Sequence, residues 1–365
     1  MDNSKSSIKQ IQKAGSGSDQ YQIGSLVING ISEERTRAIF SEMFALERAN
    51  YTQEALVTVQ KRVDKLEESL IPRIQNIKGA SAAFADPKFQ FLMRDAQKAA
   101  ASTDRSSDYD LLSELLVCHI QKGENRKNRA GIDRAISIVD EIDNDALCGL
   151  TVFFAVGQYS PVTGNIQKGI SVLARLFDQI LYQALPKGND WIDHLDMLGT
   201  IRYLQIGSLN KLLDIYAGML NGYVCCGIKK DSAEYVQAIE LLKKIHMGEY
   251  GLVRHELLDG YVRLPFRNKE AINTMSMKIG NIVVPLSDED IKIIDDIWSL
   301  YSKDVNLLNT VKNNFKTMWD SFDSLKTIRE WWDNIEGGIS ITHVGRVLAH
   351  TNAKRCNPDL PDLLS

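Results

Sequence analysis

Cysteine is scarce in this sequence of 365 residues, and its five cysteines stand at irregular spacing. They form neither a Cys-x-x-Cys pair nor a Cys/His quartet, so the sequence gives no indication of a structural zinc site. An odd number of cysteines without a disulfide pattern is typical of a reducing compartment. We therefore expect a cytoplasmic protein.

Long hydrophobic runs are also missing. The longest apolar stretches, such as LCGLTVFFAVG at residues 147–157, are too short for a membrane helix and indicate a buried helix or strand. The opening residues, MDNSKSSIKQIQKAGSGSDQ, lack the apolar segment of a signal peptide. We expect no association with a membrane.

The sequence has no large excess of charge and no familiar catalytic motif. Its net charge of −4 argues against a surface built throughout for nucleic acid, although it permits a local basic patch. Phosphate-binding glycine loops, nucleophile elbows and dinucleotide fingerprints do not occur. The sequence therefore predicts no catalytic residue and no cofactor, and an enzyme with an unfamiliar site stays open.

Apolar residues at helical spacing recur through most of the chain, which predicts a mainly α fold built as an array of many helices. We expect β structure at few places. These are a short N-terminal strand, a β-hairpin near residues 250–266 around Asp259-Gly260, and a strand ISIT before the last helix. The last strand and helix predict a small C-terminal winged-helix-like module.

Changes in composition divide the chain into four predicted segments. They are a flexible tail at 1–19, an N-terminal strand with a long helix at 20–78, a helical domain at 79–248, and a hairpin with a C-terminal helical or winged-helix-like domain at 249–365.

The segment QYQIGSLVINGIS, residues 20–32, predicts a strand that needs a partner, because a lone strand leaves its backbone groups unpaired. The partner is either the same segment of another copy or the 250–266 hairpin. A seam that steps by three and four residues follows it, and the seam is short enough to pack inside its own subunit. Our hypothesis is a homo-oligomer whose contacts are Ile23, Leu26, Ile28, Ile31, Leu56, Val59, Val63 and Leu66.

Two basic clusters stand at residues 124–129 (ENRKNR) and 345–355 (GRVLAHTNAKR). Arg and Lys neutralise phosphates, so the second cluster predicts a nucleic-acid contact in the C-terminal module. Its residues are Arg346, His350, Lys354 and Arg355. The alternative is a module that contacts only protein.

The best candidate for a metal site is DWIDHLD, residues 190–196. On a helix, Asp190, Asp193 and His194 share one face, and carboxylate with imidazole is a ligand set for a divalent cation. A metal-dependent hydrolase is the corresponding function. The alternative is a solvated helix start whose carboxylates complement the helix dipole.

Three separated stretches, residues 24–44, 83–101 and 341–355, resemble an uncharacterised bacterial family known only by locus tags. The last of them, ITHVGRVLAHTNAKR, is similar to that family's ending, LT-x-x-G-x-x-[LI]-A-x-x-N-x-x-R. The resemblance implies a bacterial cytoplasmic protein of accessory or defence type and supplies no activity. We expect an oligomeric interaction or scaffold protein with an unknown protein partner, and nucleic-acid binding and metal-dependent hydrolysis are the alternatives.

Overall fold

Helices dominate the structure, a computed structural model that describes residues 33–48, 52–75, 77, 80–122, 125–161, 163–204, 206–274, 276–279 and 282–362. The predicted mainly α class is confirmed. The helices within these ranges are, in chain order, Glu33–Glu47 (α1), Gln53–Ile74 (α2), Ala80–Ala85 (α3), Pro87–Ser102 (α4), Ser106–Lys122 (α5), Arg126–Ile136 (α6), Asn144–Gln158 (α7), Ile166–Ile180 (α8), Asp190–Met197 (α9), Leu212–Met219 (α10), Ala233–Lys244 (α11), Asp288–Ser299 (α12), Val305–Asp320 (α13), Asp323–Asp333 (α14) and His343–Cys356 (α15).

Short polar side chains set several of the helix starts. Asp86 accepts a hydrogen bond from the backbone N–H of Lys88, and Pro87 occupies the first helical position, where a missing N–H does no harm. Ser287 and Asp290 form a capping box at the start of α12. These boundaries follow from local sequence alone.

The strands are short and form three small antiparallel sheets. They are Ile201–Leu204 (β1), Ile228–Lys229 (β2), Val253–Arg254 (β3), Tyr261–Arg263 (β4), Ser276–Ile279 (β5), Ile282–Pro285 (β6) and Gly338–Ile341 (β7). The sheet orders are β1-β7, β2-β4-β3 and β5-β6. The predicted hairpin near residues 250–266 is confirmed, since β3 pairs with β4. Gly260 at its turn has a φ of 80°, which favours glycine.

Buried apolar side chains form three clusters. The first lies among α1 to α7, α9 and α15. The second lies between the far side of α7 and helices α8, α10, α13 and α14. The third covers β2, α11, α12 and the residues after β4. The first cluster takes residues from each of the predicted segments 20–78, 79–248 and 249–365, whereas the tail at 1–19 lies outside the described residues.

Helix α7 belongs to two clusters, which explains why its sequence is apolar on every side. Every residue from Ala146 to Val156 is buried. Leu150 faces the first cluster and Phe153 faces the second. Among the described helices, none combines the length and the apolar character that crossing a bilayer requires.

Helix α15 packs against α5, α6 and α7, and every residue from Val347 to Ala353 is buried. The strand before it, β7, pairs with the distant β1, so that Ile341 lies opposite Ile201. The prediction of a winged-helix-like module does not agree with these contacts of β7 and α15. In such a module the last strand would pair locally and the helix would lie on the surface, whereas α15 is a core helix of the main array.

The start of α15 is fixed by close backbone contact with the loop before β1. Thr342 donates its backbone N–H to the carbonyl oxygen of Thr200 at 3.0 Å. Its hydroxyl caps the helix by accepting from the N–H of Gly345 at 3.2 Å. A Cβ added at Gly345 would lie 2.0 Å from the Thr200 carbonyl oxygen. Only glycine permits this approach.

We expect Gly345→Ala to lower the free energy of unfolding by about 2–3 kcal/mol, because backbone would have to move to admit the methyl group. Gly157→Ala is the matched control, since no atom lies within 4 Å of a Cβ built there. That substitution should be neutral or stabilising. Urea denaturation followed by circular dichroism measures both, and equal midpoints for the two variants would contradict the expectation.

Candidate functional site

A groove runs along α15, between this helix and the C-terminal half of α5. It consists of two adjoining cavities that share the lining residues Cys118 and Lys122. On α15 the lining positions recur every three or four residues and so lie on one helix face. They are His343, Arg346, Val347, His350, Thr351 and Lys354. We call this feature the α15 groove and name its N-terminal and C-terminal sections after the direction of α15.

The N-terminal section is a cavity of about 340 Å³ beside the starts of α6 and α15. Three cations line it, Lys122, Lys127 and Arg346, and none of the described lining residues is acidic. Lys127 and Arg346 form no ion pair with any residue in the described part of the chain. Bringing the like charges of Lys127 and Arg346 together costs free energy, and a bound anion would remove that cost.

Polar groups complete the lining of this section. The carboxamides of Asn125, Asn128 and Gln158 line it. Asn125 caps α6 by accepting from the backbone N–H groups of Lys127 and Asn128 at 2.9 and 3.3 Å. The positive ends of the α6 and α15 dipoles therefore add to the charge of the three cations, while part of their N–H groups is already used by the caps.

The pKa of His343 responds to the positive charges in the N-terminal section. Its pKa is lowered from the usual value by burial first, and then by the positive charges of Lys127 and Arg346. Its Nε2 atom is buried and has no hydrogen-bond partner within the described residues. The section thus offers a neutral ring nitrogen beside its cations.

In the C-terminal section, a cavity of about 280 Å³, the cations Arg73 and Lys354 are paired with carboxylates. Arg73 contacts Asp110 and Glu114, both at 2.9 Å. Lys354 contacts Asp362 at 2.5 Å. Lys127 and Arg346 in the N-terminal section differ from Arg73 and Lys354 in having no carboxylate partner among the described residues.

His350 lies in the wall of the C-terminal section and is 4% exposed. Its Nδ1 shares a hydrogen bond of 2.9 Å with the hydroxyl of Tyr159. Burial lowers the pKa of His350 to about 4, and the nearby charges of Lys354 and Lys122 act in the same direction. Burial also raises the pKa of Tyr159 to about 12. Both side chains are therefore uncharged near neutral pH.

Three of the four residues predicted to contact nucleic acid line the groove, namely Arg346, His350 and Lys354. Arg355 lies outside it. Its Nε donates to Asn352 at 2.9 Å, and its guanidinium lies over the ring of Tyr182 at 5.2 Å. Of the four, Arg346 is the cation that faces the N-terminal section.

Tertiary packing brings the two basic clusters of the sequence together. Lys127, from residues 124–129, lines the same section as Arg346. Arg126 of the same cluster lines a different cavity, beside Phe91. Lys122, which lines both sections, is not among the residues predicted from the sequence. It stands on α5 four residues after Cys118 and therefore on the same helix face, and this spacing could have indicated it.

The predicted metal ligands do not form a metal site. Asp190 and Asp193 are exposed in the first turn of α9. The Nε2 atom of His194 accepts a hydrogen bond from the backbone N–H of Asp143 at 3.1 Å. Within the part of the chain that the structure describes, no group of three His, Cys, Asp or Glu side chains is placed to hold a metal. The arrangement agrees with the alternative interpretation, a solvated helix start.

The residues predicted to contact another copy fall into two groups. Ile23, Leu26, Ile28 and Ile31 lie outside the described residues. On α2, Leu56 is half-buried, whereas Val59, Val63 and Leu66 are 6%, 1% and 0% exposed within the first core cluster. Side chains that the chain's own helices cover offer no surface to a second copy, so this seam packs inside its subunit.

A model of one protein family, described by a locus tag followed by "-like", matches residues 30–363. The chain belongs to this family. The family is uncharacterised, and the resemblance of the three stretches of sequence to such a family is confirmed. Searches of curated proteins and of solved structures found no match.

Several residues of the last stretch that carries the resemblance determine the packing of α15. Thr342 and Gly345 fix the start of α15, and the buried side chain of Asn352 donates to Thr151 at 2.8 Å.

We expect His350 to make the protein less stable in acid. An unfolded histidine takes up a proton near pH 6.5, whereas His350 in the fold does so near pH 4. Between these values the unfolded state binds more protons, so stability falls as the pH falls from 6.5 to 4. His350→Gln, which cannot titrate, should therefore lose less thermal stability than the wild type between pH 7 and pH 5. An identical loss in both proteins would contradict this.

Proposed function

We propose that this protein binds a small phosphate-bearing ligand, of about the size of a nucleotide, in the N-terminal section of the α15 groove. The observation that carries the proposal is the set of three cations, Lys122, Lys127 and Arg346, around a cavity whose described lining holds no acidic residue.

The residue types in the groove match the chemistry of phosphate. An arginine guanidinium offers a planar fork of donors that fits two phosphate oxygens, and a lysine ammonium acts as a point charge. Asn128, Gln158 and the amide N–H group of Asn125, whose oxygen caps α6, add polar groups for an attached part of the ligand.

The size and charge of the molecule favour a small ligand over a long polyanion. A cavity of about 340 Å³ falls within the range of small-molecule sites. The net charge of −4 gives no general attraction for a nucleic-acid backbone. Since Val347–Ala353 are buried, the uncovered strip of α15 is too narrow for the helix to enter the major groove of a duplex.

Isothermal titration calorimetry with adenosine diphosphate tests the site. We expect Arg346→Gln combined with Lys127→Gln to weaken binding about tenfold or more, because charge-assisted hydrogen bonds to phosphate are lost. Lys303→Gln combined with Lys316→Gln removes the same charge from exposed positions outside the groove and should change affinity at most about twofold. Equal losses in the two variants, or no binding by the wild type, would refute the proposal.

A single-stranded oligonucleotide is the second ligand to test. It would use the same cations, and Phe91, which is 57% exposed and lines a separate cavity with Arg126, offers a base the ring face that the Arg94 guanidinium does not cover. An oligonucleotide that displaces adenosine diphosphate and binds far more tightly would favour nucleic acid as the ligand. Displacement only at much higher concentration favours the small molecule.

Self-assembly is a separate proposal, and it rests on the sequence of residues 20–32, which lie outside the described residues. We expect light scattering on a sizing column to show a multimer for the full chain and a folded monomer for a chain that begins at Glu33. The reason is that a strand needs a partner for its backbone groups. Monomers in both samples would rule out assembly through this segment and with it the scaffold function.

A further inference from the structure

The C-terminal section of the α15 groove contains a carboxylate that belongs to the chain itself. Asp362 Oδ1 lies 2.5 Å from Lys354 Nζ, and both residues line this section. The chain leaves α15 after Cys356 and returns to Lys354 within a few residues. On the way, Leu360 packs against the second core cluster, so the core anchors the segment that presents Asp362.

The charges around Asp362 are those that a ligand's phosphate would meet. The hydrogen bond from Lys354 lowers the pKa of Asp362, and the charges of Lys354 and Lys122 add to the effect. Lys122 also lines the N-terminal section. One cation thus faces both the section proposed for the ligand and the carboxylate of Asp362.

The spacing on α15 orders these cations along the groove. Arg346 and Lys354 are eight residues apart, which is about 12 Å along the helix axis. Because Lys122 lines both sections, a chain of phosphates that begins at Arg346 meets Lys122 before it reaches Lys354.

We infer that Asp362 is an internal competitor that limits the length of polyphosphate the groove accepts, an inference that rests on the proposed function. A single phosphate occupies the N-terminal section and leaves the Lys354–Asp362 ion pair intact. A longer polyphosphate reaches Lys354 and has to displace Asp362.

The ion pair is exposed enough to be displaced. The side chains of Lys354 and Asp362 are 27% and 60% exposed, so solvent screens part of their attraction. Removal of the competitor should therefore strengthen the binding of a long polyphosphate only moderately, by about two- to fivefold.

The experiment measures, by calorimetry on the full chain, the affinities for inorganic phosphate and for inorganic tripolyphosphate. We expect Asp362→Asn to tighten the binding of tripolyphosphate by about two- to fivefold and to leave the affinity for phosphate unchanged. Asp359→Asn is the matched control. It removes the same charge from an exposed position of the same segment, and Asp359 forms no ion pair with a described residue. It should leave both affinities unchanged.

The outcomes separate this inference from the proposed function. If Asp362→Asn and Asp359→Asn act alike, or if Asp362→Asn tightens both anions equally, Asp362 does not select for length and the inference fails. If Arg346→Gln with Lys127→Gln abolishes binding while Asp362→Asn has no effect, the proposed function stands without the competitor. If neither anion binds to any variant, the proposed function fails and the inference fails with it.

Discussion

The close contact between the start of α15 and the loop before β1 is the constraint on which much of the fold depends. A Cβ at Gly345 would meet the carbonyl oxygen of Thr200 at 2.0 Å, so the helix can begin there only because the residue is glycine. From that point α15 runs between α5, α6 and α7 and completes the first core cluster. The buried carboxamide of Asn352, which donates to Thr151 at 2.8 Å, holds the other end of the helix against α7.

The groove is a consequence of the same packing. A helix that is covered by neighbours on most sides leaves one strip of its surface uncovered, and on α15 that strip holds Arg346 and Lys354. Packing against α5 and α6 then places Lys122 and Lys127 beside it. Lys122, Lys127 and Arg346 are therefore close together in the fold although Arg346 is far from the other two in the sequence. They make this part of the surface positive in a chain whose net charge is −4.

The chain uses charge in two different ways, and the contrast supports the functional interpretation of the groove. Arg263 is 0% exposed and pairs with both oxygens of Glu256, at 2.9 and 2.7 Å, over the ring of Tyr223. Asn165, at the start of α8, donates to the same carboxylate at 3.1 Å. Both oxygens of the Glu256 carboxylate thus accept hydrogen bonds, and the bond from Asn165 joins the β3–β4 hairpin to α8. Lys127 and Arg346, by contrast, line a cavity without a carboxylate among its described lining residues.

The sequence by itself determined the features that depend on near neighbours. Helical spacing predicted the mainly α class, polar caps such as Asp86 marked helix starts, and Asp259-Gly260 marked the hairpin, because these signals act over a few residues. Only the tertiary structure decided what covers each apolar face. Periodicity showed that Val63 and Leu66 face one way, and packing made that face the chain's own core. The strand ISIT suggested a local wing, yet its partner is the distant β1. Lys127 and Arg346 belong to separate stretches of sequence, and their common cavity exists because long-range packing places the starts of α6 and α15 side by side.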